Sequence, residues 1–285
     1  MKYIKNNFAG ILTILALIGL IFKGFLATNN ILNENLIERT LTSFVISYLA
    51  FKISYMETKK VSLILIPLIF HSLIMALVVN GGLSSKIPAD MLTIITSLYK
   101  IVVIIVVFFI LEFILNRILG NLATSVIGAI SLLVYLAITF TKRMSFLSAY
   151  EDFFLYFSFY VMALRVRSAA KINPLLLIFA LLLVAGEIYL KSAYIKIEYS
   201  FLLTIFPLSY LSLKTISNEA AMGFVDFIVF ALIYIYPSIF IILKTNTNID
   251  RLGISIIAIL SSYILGEAVL KIKNKYLSYL ILGIN

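Results

Sequence analysis

The chain has 285 residues, of which 62% are hydrophobic and 13% charged, with a net charge of +10 and neither cysteine nor tryptophan. Soluble domains hold roughly 45–50% apolar and about 25% charged residues, so this composition is typical of a membrane protein. The absence of cysteine excludes disulfides, thiolate catalysis and cysteine-bound metal or iron–sulfur centres. The basic residues lie in short connections beside apolar stretches, where topology and anionic lipid headgroups explain them better than nucleic acid does.

Ten apolar stretches fill most of the sequence, and we expect each to form a transmembrane helix. A hydrocarbon core about 30 Å thick requires roughly 20 helical residues. Runs such as 101–110 do not alternate apolar and polar residues as barrel strands do. The predicted fold is all-α, a polytopic transmembrane helix bundle that forms one integral membrane domain over residues 1–285. The predicted spans are 8–28, 40–55, 61–80, 91–113, 119–141, 148–164, 172–190, 199–213, 222–243 and 250–270.

The first stretch follows the basic segment 1–5, but we expect a retained helix, because about 20 apolar residues run on without a convincing cleavage site. Three spans (40–55, 148–164 and 199–213) are short, so they borrow flanking residues or cross a locally thinned membrane. The connection 29–39 is expected to form one interfacial turn. The tail after Lys271 is basic and then apolar, which favours a short amphipathic segment on the inner leaflet or a continuation of the last helix.

The distribution of basic residues between the connections predicts that both chain ends are cytoplasmic. With that orientation the inner connections hold twelve Lys or Arg and the outer ones eight. The inner residues are Lys2, Lys5, Lys59, Lys60, Arg117, Arg165, Arg167, Lys171, Lys214, Lys271, Lys273 and Lys275, and the outer ones are Arg39, Lys86, Lys142, Arg143, Lys191, Lys196, Lys244 and Arg251. The clusters at 165–171 and 271–275 contribute most to this bias.

Two ionisable residues lie deep in predicted spans, where such groups are expensive and mark functional sites. His71 is ten residues into the third span and Lys100 nine into the fourth, which places both roughly 15 Å deep. We expect them to share a polar pocket in which Tyr99 is a candidate partner for Lys100. A neutral histidine bonded to a neighbouring backbone is the alternative for His71.

Three carboxylates, Glu112, Asp226 and Glu267, fall toward the cytoplasmic ends of their spans and could bind cations or cationic groups together. Alternatively, each reaches water from the end of a helix, and Glu267 pairs with Lys271 one turn later. Glu187 lies toward the outer end of span seven. Two prolines, Pro207 and Pro237, lie inside spans eight and nine, where proline can kink a helix beside a cavity.

One spacing occurs twice in the chain: Glu112 precedes Gly128, and Glu267 precedes Gly283, by sixteen residues each. A Leu-Glu or Gly-Glu step before a glycine-bearing helix resembles the half-repeats of the drug/metabolite transporter superfamily, whose members also have ten spans. The resemblance implies transport through a site between repeated halves. The chain departs from that family in its low glycine content, 12 of 285, and in span 148–164, which has no counterpart in the repeat.

Four stretches match a second pattern in order: 5–16; 44–49 with Lys59, Lys60 and 65–67; 152–160 with the basic loop 165–171; and 233–237. Together they resemble the acyltransferase-3 family, ten-helix membrane proteins that acylate cell-surface sugars. Two positions depart from it, because Ala16 stands where the catalytic histidine is expected and Tyr236 where a histidine usually precedes Pro237. The resemblance therefore implies the architecture, with a non-catalytic relative or relocated machinery.

The sequence favours a membrane protein that moves, or helps to move, a small solute or a lipid- or glycan-linked cell-envelope precursor. An acyltransferase that modifies a cell-surface glycan and an accessory subunit of a larger complex are the alternatives. The predicted substrate-binding residues are Lys100, His71, Tyr99, Glu112, Asp226 and Glu267. We expect no metal site, no cofactor and no nucleic-acid partner. The bilayer, with its anionic inner leaflet, and the substrate are the expected partners, and a homo-oligomer stays open.

Overall fold

The computed structural model describes residues 8–23, 34–55, 60–141, 150–166, 178, 182, 200–216, 224–247, 249–272 and 274–282. These residues form helices and turns, and no strand occurs among them, which confirms the all-α prediction. The helices are α1 Phe8–Ile21, α2 Glu34–Tyr55, α3 Lys60–Asn80, α4 Ile87–Leu98, α5 Lys100–Thr141, α6 Glu151–Arg165, α7 Ser200–Lys214, α8 Phe224–Asn246, α9 Arg251–Lys271 and α10 Lys275–Leu282. The predicted span 172–190 with Glu187, residues 1–5 and Gly283 lie outside the described part, except that Ile178 and Leu182 are exposed.

The chain groups into two compact units, each built from two separate segments. Unit 1 comprises Met1–Tyr55 and Val107–Ala220, and unit 2 comprises Met56–Val106 and Ala221–Asn285. The sequence predicted one integral membrane domain over residues 1–285, and nothing in its pattern indicated this division.

In unit 1, α2 packs against both α6 and α1 and is buried along most of its length. The hydroxyl groups of Ser43 and Ser47 donate to the carbonyls of Arg39 and Ser43, each 2.8 Å away. Bonds to their own helix satisfy these groups, so a polar helix can lie in a core. Close approach to α1 is possible because Gly19 leaves room for the side chain of Leu41.

In unit 2, α8 packs against α9 and α3, and the short α10 packs against α3 and α8. Gly266 on α9 makes the contact with α8 close, since a Cβ there would lie 2.6 Å from the ring of Phe227. Because it is separated from α9 by residues 272–274, α10 is a helix of its own rather than a continuation of α9.

The chain bends sharply at Gly120, inside α5. Its backbone angles, φ 82° and ψ 167°, lie in a region that only glycine adopts without strain. Residues 108 and 128 would lie about 30 Å apart in a straight helix. Nevertheless Phe108 packs on Tyr160, and Gly128 contacts the adjacent Val161. The two arms of α5 within unit 1 therefore lie against the same part of α6.

The helix boundaries correct the sequence prediction between residues 87 and 141. The predicted connection near 114–118 is helical, and the bend comes later, at Gly120. The predicted span 91–113 is broken at Tyr99, which separates α4 from α5. No glycine or proline marks this break. Serine and threonine bonds to the carbonyls of their own helix, such as Ser97 Oγ to Thr93 O at 2.6 Å, tend to bend helices and accompany it.

The second helix begins earlier than predicted, at Glu34 rather than residue 40. Residues 34–39 are part of this helix, so the interfacial turn expected over 29–39 does not form there. The prediction stopped at the charged residues, but two of them are paired: Glu38 lies 2.5 Å from Lys23 Nζ, and Arg39 binds Glu151 and Asp152.

Three helices of the described part are long and apolar enough to cross a membrane: Lys100–Ile138, Phe224–Asn246 and Arg251–Lys271. Several of their large apolar side chains are exposed, among them Phe113, Leu122 and Leu260. These features indicate association with a membrane.

Candidate functional site

Three buried side chains of unit 2 and two backbone carbonyls form a continuous set of hydrogen bonds, and the ring of Tyr234 packs beside it; together we call them the His71 cluster. It consists of His71 on α3, Tyr99 between α4 and α5, and Tyr234 and Ser238 on α8, together with the carbonyl of Ile281 on α10. Each of the four side chains is at most 6% exposed.

Both ring nitrogens of His71 bond within the protein. Nε2 lies 2.9 Å from the carbonyl oxygen of Ile281, and Nδ1 lies 2.9 Å from Ser238 Oγ. A carbonyl only accepts, so Nε2 carries the hydrogen and donates it. In the neutral imidazole, Nδ1 then accepts a hydrogen bond from the Ser238 hydroxyl.

The Ile281 carbonyl can accept the hydrogen bond from His71 because it lies at the end of α10. The last four carbonyls of an α-helix have no partner within the helix, and Ile281 is the penultimate residue of Lys275–Leu282. Leu282 is fully buried, which fixes this end of the helix in unit 2. The short tail helix thus supplies one polar group to the cluster.

Tyr99 reaches the cluster because the helix is interrupted there. Its backbone, at φ −102° and ψ 25°, ends α4, and its ring is almost wholly buried. The hydroxyl donates to the carbonyl of Tyr234 at 3.1 Å and lies 3.4 Å from Ser238 Oγ. Tyr234 lies in the turn before Pro237, inside α8. A backbone carbonyl has two lone pairs, so the Tyr234 carbonyl can accept a bond from a side chain as well as from its own helix.

Tyr234 closes the cluster on the side of α3. Its ring stacks near that of His71, with centroids 6.3 Å apart and an angle of 16° between the planes. Its hydroxyl donates to the carbonyl of Ile64 at 3.4 Å. Every polar atom of the cluster therefore has a partner within unit 2.

The structure brings two of the predicted site residues together, His71 and Tyr99, which both lie within hydrogen-bond distance of Ser238. Lys100 was expected beside them at mid-helix. Instead it is the first residue of α5 and its side chain is exposed, whereas Tyr99 is buried. Because the helix breaks at Tyr99, the side chains of Tyr99 and Lys100 lie in different surroundings.

The three predicted carboxylates have different environments. Asp226 is buried on α8, at 1% exposure. Glu267, on α9 of the same unit, is 39% exposed and pairs with Lys271 at 3.0 Å, which is the simple helix-surface alternative. Glu112 lies in unit 1 and accepts a hydrogen bond from Asn116. Each of the three carboxylates therefore has surroundings of its own.

Sequence reasoning missed Ser238 and Tyr234, because it considered only ionisable groups inside the spans. A signal was present, since the step Tyr234-Ile-Tyr-Pro-Ser238 places polar groups on both sides of a helix-kinking proline. The contribution of Ile281 is a backbone carbonyl, and no residue type could have indicated it.

Unit 1 contains a separate set of charges that the sequence analysis also missed. Arg39 lies 3.1 Å from Glu151 and 2.6 Å from Asp152, at the start of α6. Burial opposes the charge of Arg39, but the two carboxylates outweigh it and raise the pKa of the guanidinium above its usual value. These contacts join α2 to α6 and have a structural role.

No group of three or more histidine, aspartate or glutamate side chains suited to a metal ion occurs among the described residues. No family model matches the chain, and neither a curated protein nor a solved structure shows significant similarity to it. Interpretation of the His71 cluster therefore depends on its own geometry.

Proposed function

We propose that the protein is a multi-pass protein of the cell membrane that moves, or helps to move, a small solute or a lipid- or glycan-linked envelope precursor. The His71 cluster is part of its binding site. The supporting observation is that this buried polar cluster forms where the helix is interrupted at Tyr99, between α4 and α5, and beside Pro237, which lies inside α8.

Interrupted helices are a recurrent basis of transporter sites. Within a bilayer, irregular backbone persists only where protein or a polar cavity satisfies its groups, and many transporters bind substrate at such breaks. Here Tyr99 donates to the carbonyl of Tyr234, in the turn before Pro237, and Ser238 follows the proline directly. A substrate hydroxyl or amide, which both donates and accepts, can replace these internal bonds.

The proposal keeps the predicted topology of about ten spans with both ends in the cytoplasm. Its support is the three apolar helices of spanning length and the bend at Gly120, which divides α5 into arms of about 30 Å each. Each arm matches the hydrocarbon thickness of a bilayer. The excess of basic residues in the proposed inner connections sets the orientation and suits an anionic inner leaflet.

Acyl transfer to a cell-surface glycan is the competing function, and no feature of the described residues favours it. The single histidine of the chain uses both ring nitrogens inside the protein. At the position where the acyltransferase-3 family has its base, Ala16 is an apolar, buried residue. An accessory role in a larger complex predicts neither transport nor transfer by the isolated protein.

Purified protein in liposomes tests the proposal. The probes are radiolabelled amino acids, monosaccharides and organic cations, followed by uptake, and a fluorescent phospholipid, whose flipping is followed by dithionite quenching. We expect at least one probe to move faster than in protein-free vesicles. The Ser238→Ala variant should slow it roughly tenfold, which corresponds to one lost hydrogen bond of about 1.4 kcal/mol.

The matched control is Ser262→Ala on α9. Ser262 is equally buried in unit 2, but its hydroxyl bonds to the carbonyl of Ala258 on its own helix. Its replacement should leave transport unchanged. Transfer of a radiolabelled acyl group from acyl-coenzyme A to a glycan, with every transport probe immobile, would replace the proposal with the enzyme.

A further inference from the structure

We infer that His71 is a proton-binding site and that the proton it takes up is the coupling ion of the transport proposed above. The inference rests on that proposed function for the coupling but not for the proton site. Its basis is that the His71 cluster can hold one additional proton without losing a hydrogen bond.

In the neutral cluster each hydrogen has one acceptor. His71 Nε2–H donates to the Ile281 carbonyl, the Ser238 hydroxyl donates to His71 Nδ1, and the Tyr99 hydroxyl donates to the Tyr234 carbonyl. The 3.4 Å contact between Tyr99 Oη and Ser238 Oγ carries no hydrogen of its own in this state. One potential hydrogen bond is therefore left unused.

The protonated cluster uses this spare contact. A proton passes from hydronium to Nδ1, leaving water, and Nδ1–H then donates to Ser238 Oγ. The Ser238 hydroxyl turns to donate to Tyr99 Oη, while Tyr99 continues to donate to the Tyr234 carbonyl. Only one hydroxyl rotates and no heavy atom moves, so both protonation states fit the same packing.

The surroundings of His71 suit a cation that is not permanently paired. Its Nε2 lies at the C-terminal end of α10, where the helix dipole favours positive charge. The titratable groups that face it are Tyr99 from the α4–α5 break and Tyr234 from α8, while α10 presents a carbonyl.

The charged residues described on the helices packed around α3 lie farther along. Asp226 is twelve residues before Ser238, about 18 Å along α8, and Lys244 is six after it, about 9 Å. Asp90 on α4 bonds to Asn80, nine residues beyond His71 on α3. The proton on His71 is therefore held by hydrogen bonds and the helix dipole.

The single histidine makes the site directly measurable. Protein labelled with ¹⁵N-histidine, in nanodiscs, gives one imidazole spectrum, in which the nitrogen shifts report tautomer and charge. We expect the Nε2–H tautomer at high pH and a reversible conversion to the cation at lower pH, with the folded fraction unchanged by size-exclusion chromatography. A histidine that stays neutral throughout the pH range in which the protein remains folded would overturn the inference.

Two variants test the hydrogen-bond route. Ser238→Ala removes the bond to Nδ1 in both protonation states, and the bond to the cation is the stronger, so the titration midpoint should fall by about 1 pH unit, the difference between a charged and a neutral hydrogen bond. Tyr99→Phe removes the acceptor that Ser238 needs only in the protonated state, so it should also lower the midpoint. Ser262→Ala and Tyr263→Phe, both on α9, should leave it in place. Equal midpoints in all four variants contradict the route.

The coupling is tested in liposomes with any probe that the wild-type protein transports. An imposed pH gradient should accelerate wild-type uptake, whereas the His71→Gln variant should transport at the same rate with and without the gradient. If no probe is transported at all, the proposed function fails, whatever the histidine does. If the probe is transported but the gradient drives it equally well in His71→Gln, only the present inference fails.

Discussion

Asn116 and Thr124 are eight residues apart in α5, yet Asn116 Oδ1 accepts a hydrogen bond of 2.6 Å from the hydroxyl of Thr124. In a continuous helix the two residues would be about 12 Å apart along the axis. The bond exists because the chain bends at Gly120 between them. Arg165 on α6 donates to the carbonyl of Asn121 at 2.7 Å and secures the second arm just after the bend.

Gly120→Ala should therefore destabilise the protein by about 1–3 kcal/mol, the usual strain of a side chain in this backbone region. No heavy atom lies within 4 Å of the position a Cβ would take, so the effect is conformational and not steric. The measurement is the heat-induced loss of the monodisperse peak in size-exclusion chromatography. This readout suits a chain that has neither tryptophan nor cysteine for a fluorescent probe.

Leu122→Ala is the control for the bend, because the Leu122 side chain is 82% exposed and its backbone is helical. It should shift the midpoint far less than Gly120→Ala. Equal midpoints for Gly120→Ala and wild type would show that the backbone at residue 120 is not strained by a Cβ.

The bend also shows how far the sequence predicts the fold. The hydrophobic pattern predicted the all-helical class and two apolar segments between residues 91 and 141. It placed their connection at residues 114–118, around the polar Asn116 and Arg117, whereas the backbone turns where glycine permits a positive φ, at Gly120. The helix start at Glu34 was missed for a related reason. The partner of Arg39, Glu151, is distant in the sequence. The local sequence around such a paired charge therefore looks the same as that around a charge in a loop.

Gly266→Ala tests the close contact between α8 and α9. Its Cβ would lie 2.6 Å from Cζ of Phe227, nearer than packed atoms approach. Overpacking of this kind typically costs about 1–3 kcal/mol. Phe227→Leu removes the tip of the ring, so the double variant should be more stable than the sum of the two single effects predicts. Additive effects in this double-mutant cycle, measured by thermal stability, would mean that the helices separate to accommodate the methyl group.

Arg39→Met should loosen the contact between α2 and α6. The guanidinium binds Glu151 and Asp152, and the carboxylate of Glu151 is only 15% exposed, so the variant loses two ion pairs, one of them to a largely buried carboxylate. We expect a loss of about 1–3 kcal/mol, between the values for exposed and buried ion pairs. Lys271→Met is the control, since that side chain is 76% exposed in its pair with Glu267 and should contribute less than about 0.5 kcal/mol.

The candidate site was partly predictable from the sequence. His71 could be singled out because an imidazole in an apolar helix is expensive and rare. Tyr99 was included only as a neighbour of Lys100, and the break that buries one residue and exposes the other has no local signal. Ser238 and the Ile281 carbonyl needed the three-dimensional structure, since they meet His71 across 167 and 210 residues of chain.

Tyr99→Phe and Lys100→Ala compare these adjacent residues directly. Tyr99→Phe leaves the ring in place but removes the hydroxyl that donates to the Tyr234 carbonyl, so a buried hydrogen bond is lost at a cost of about 0.5–1.5 kcal/mol. Because Lys100 is exposed at the start of α5, Lys100→Ala should stay within about 0.5 kcal/mol of wild type. The same order is expected in transport by reconstituted protein, with Tyr99→Phe the more impaired variant. A larger effect of Lys100→Ala in both assays would return the lysine to the site and place the functional surface on the exposed side of the break.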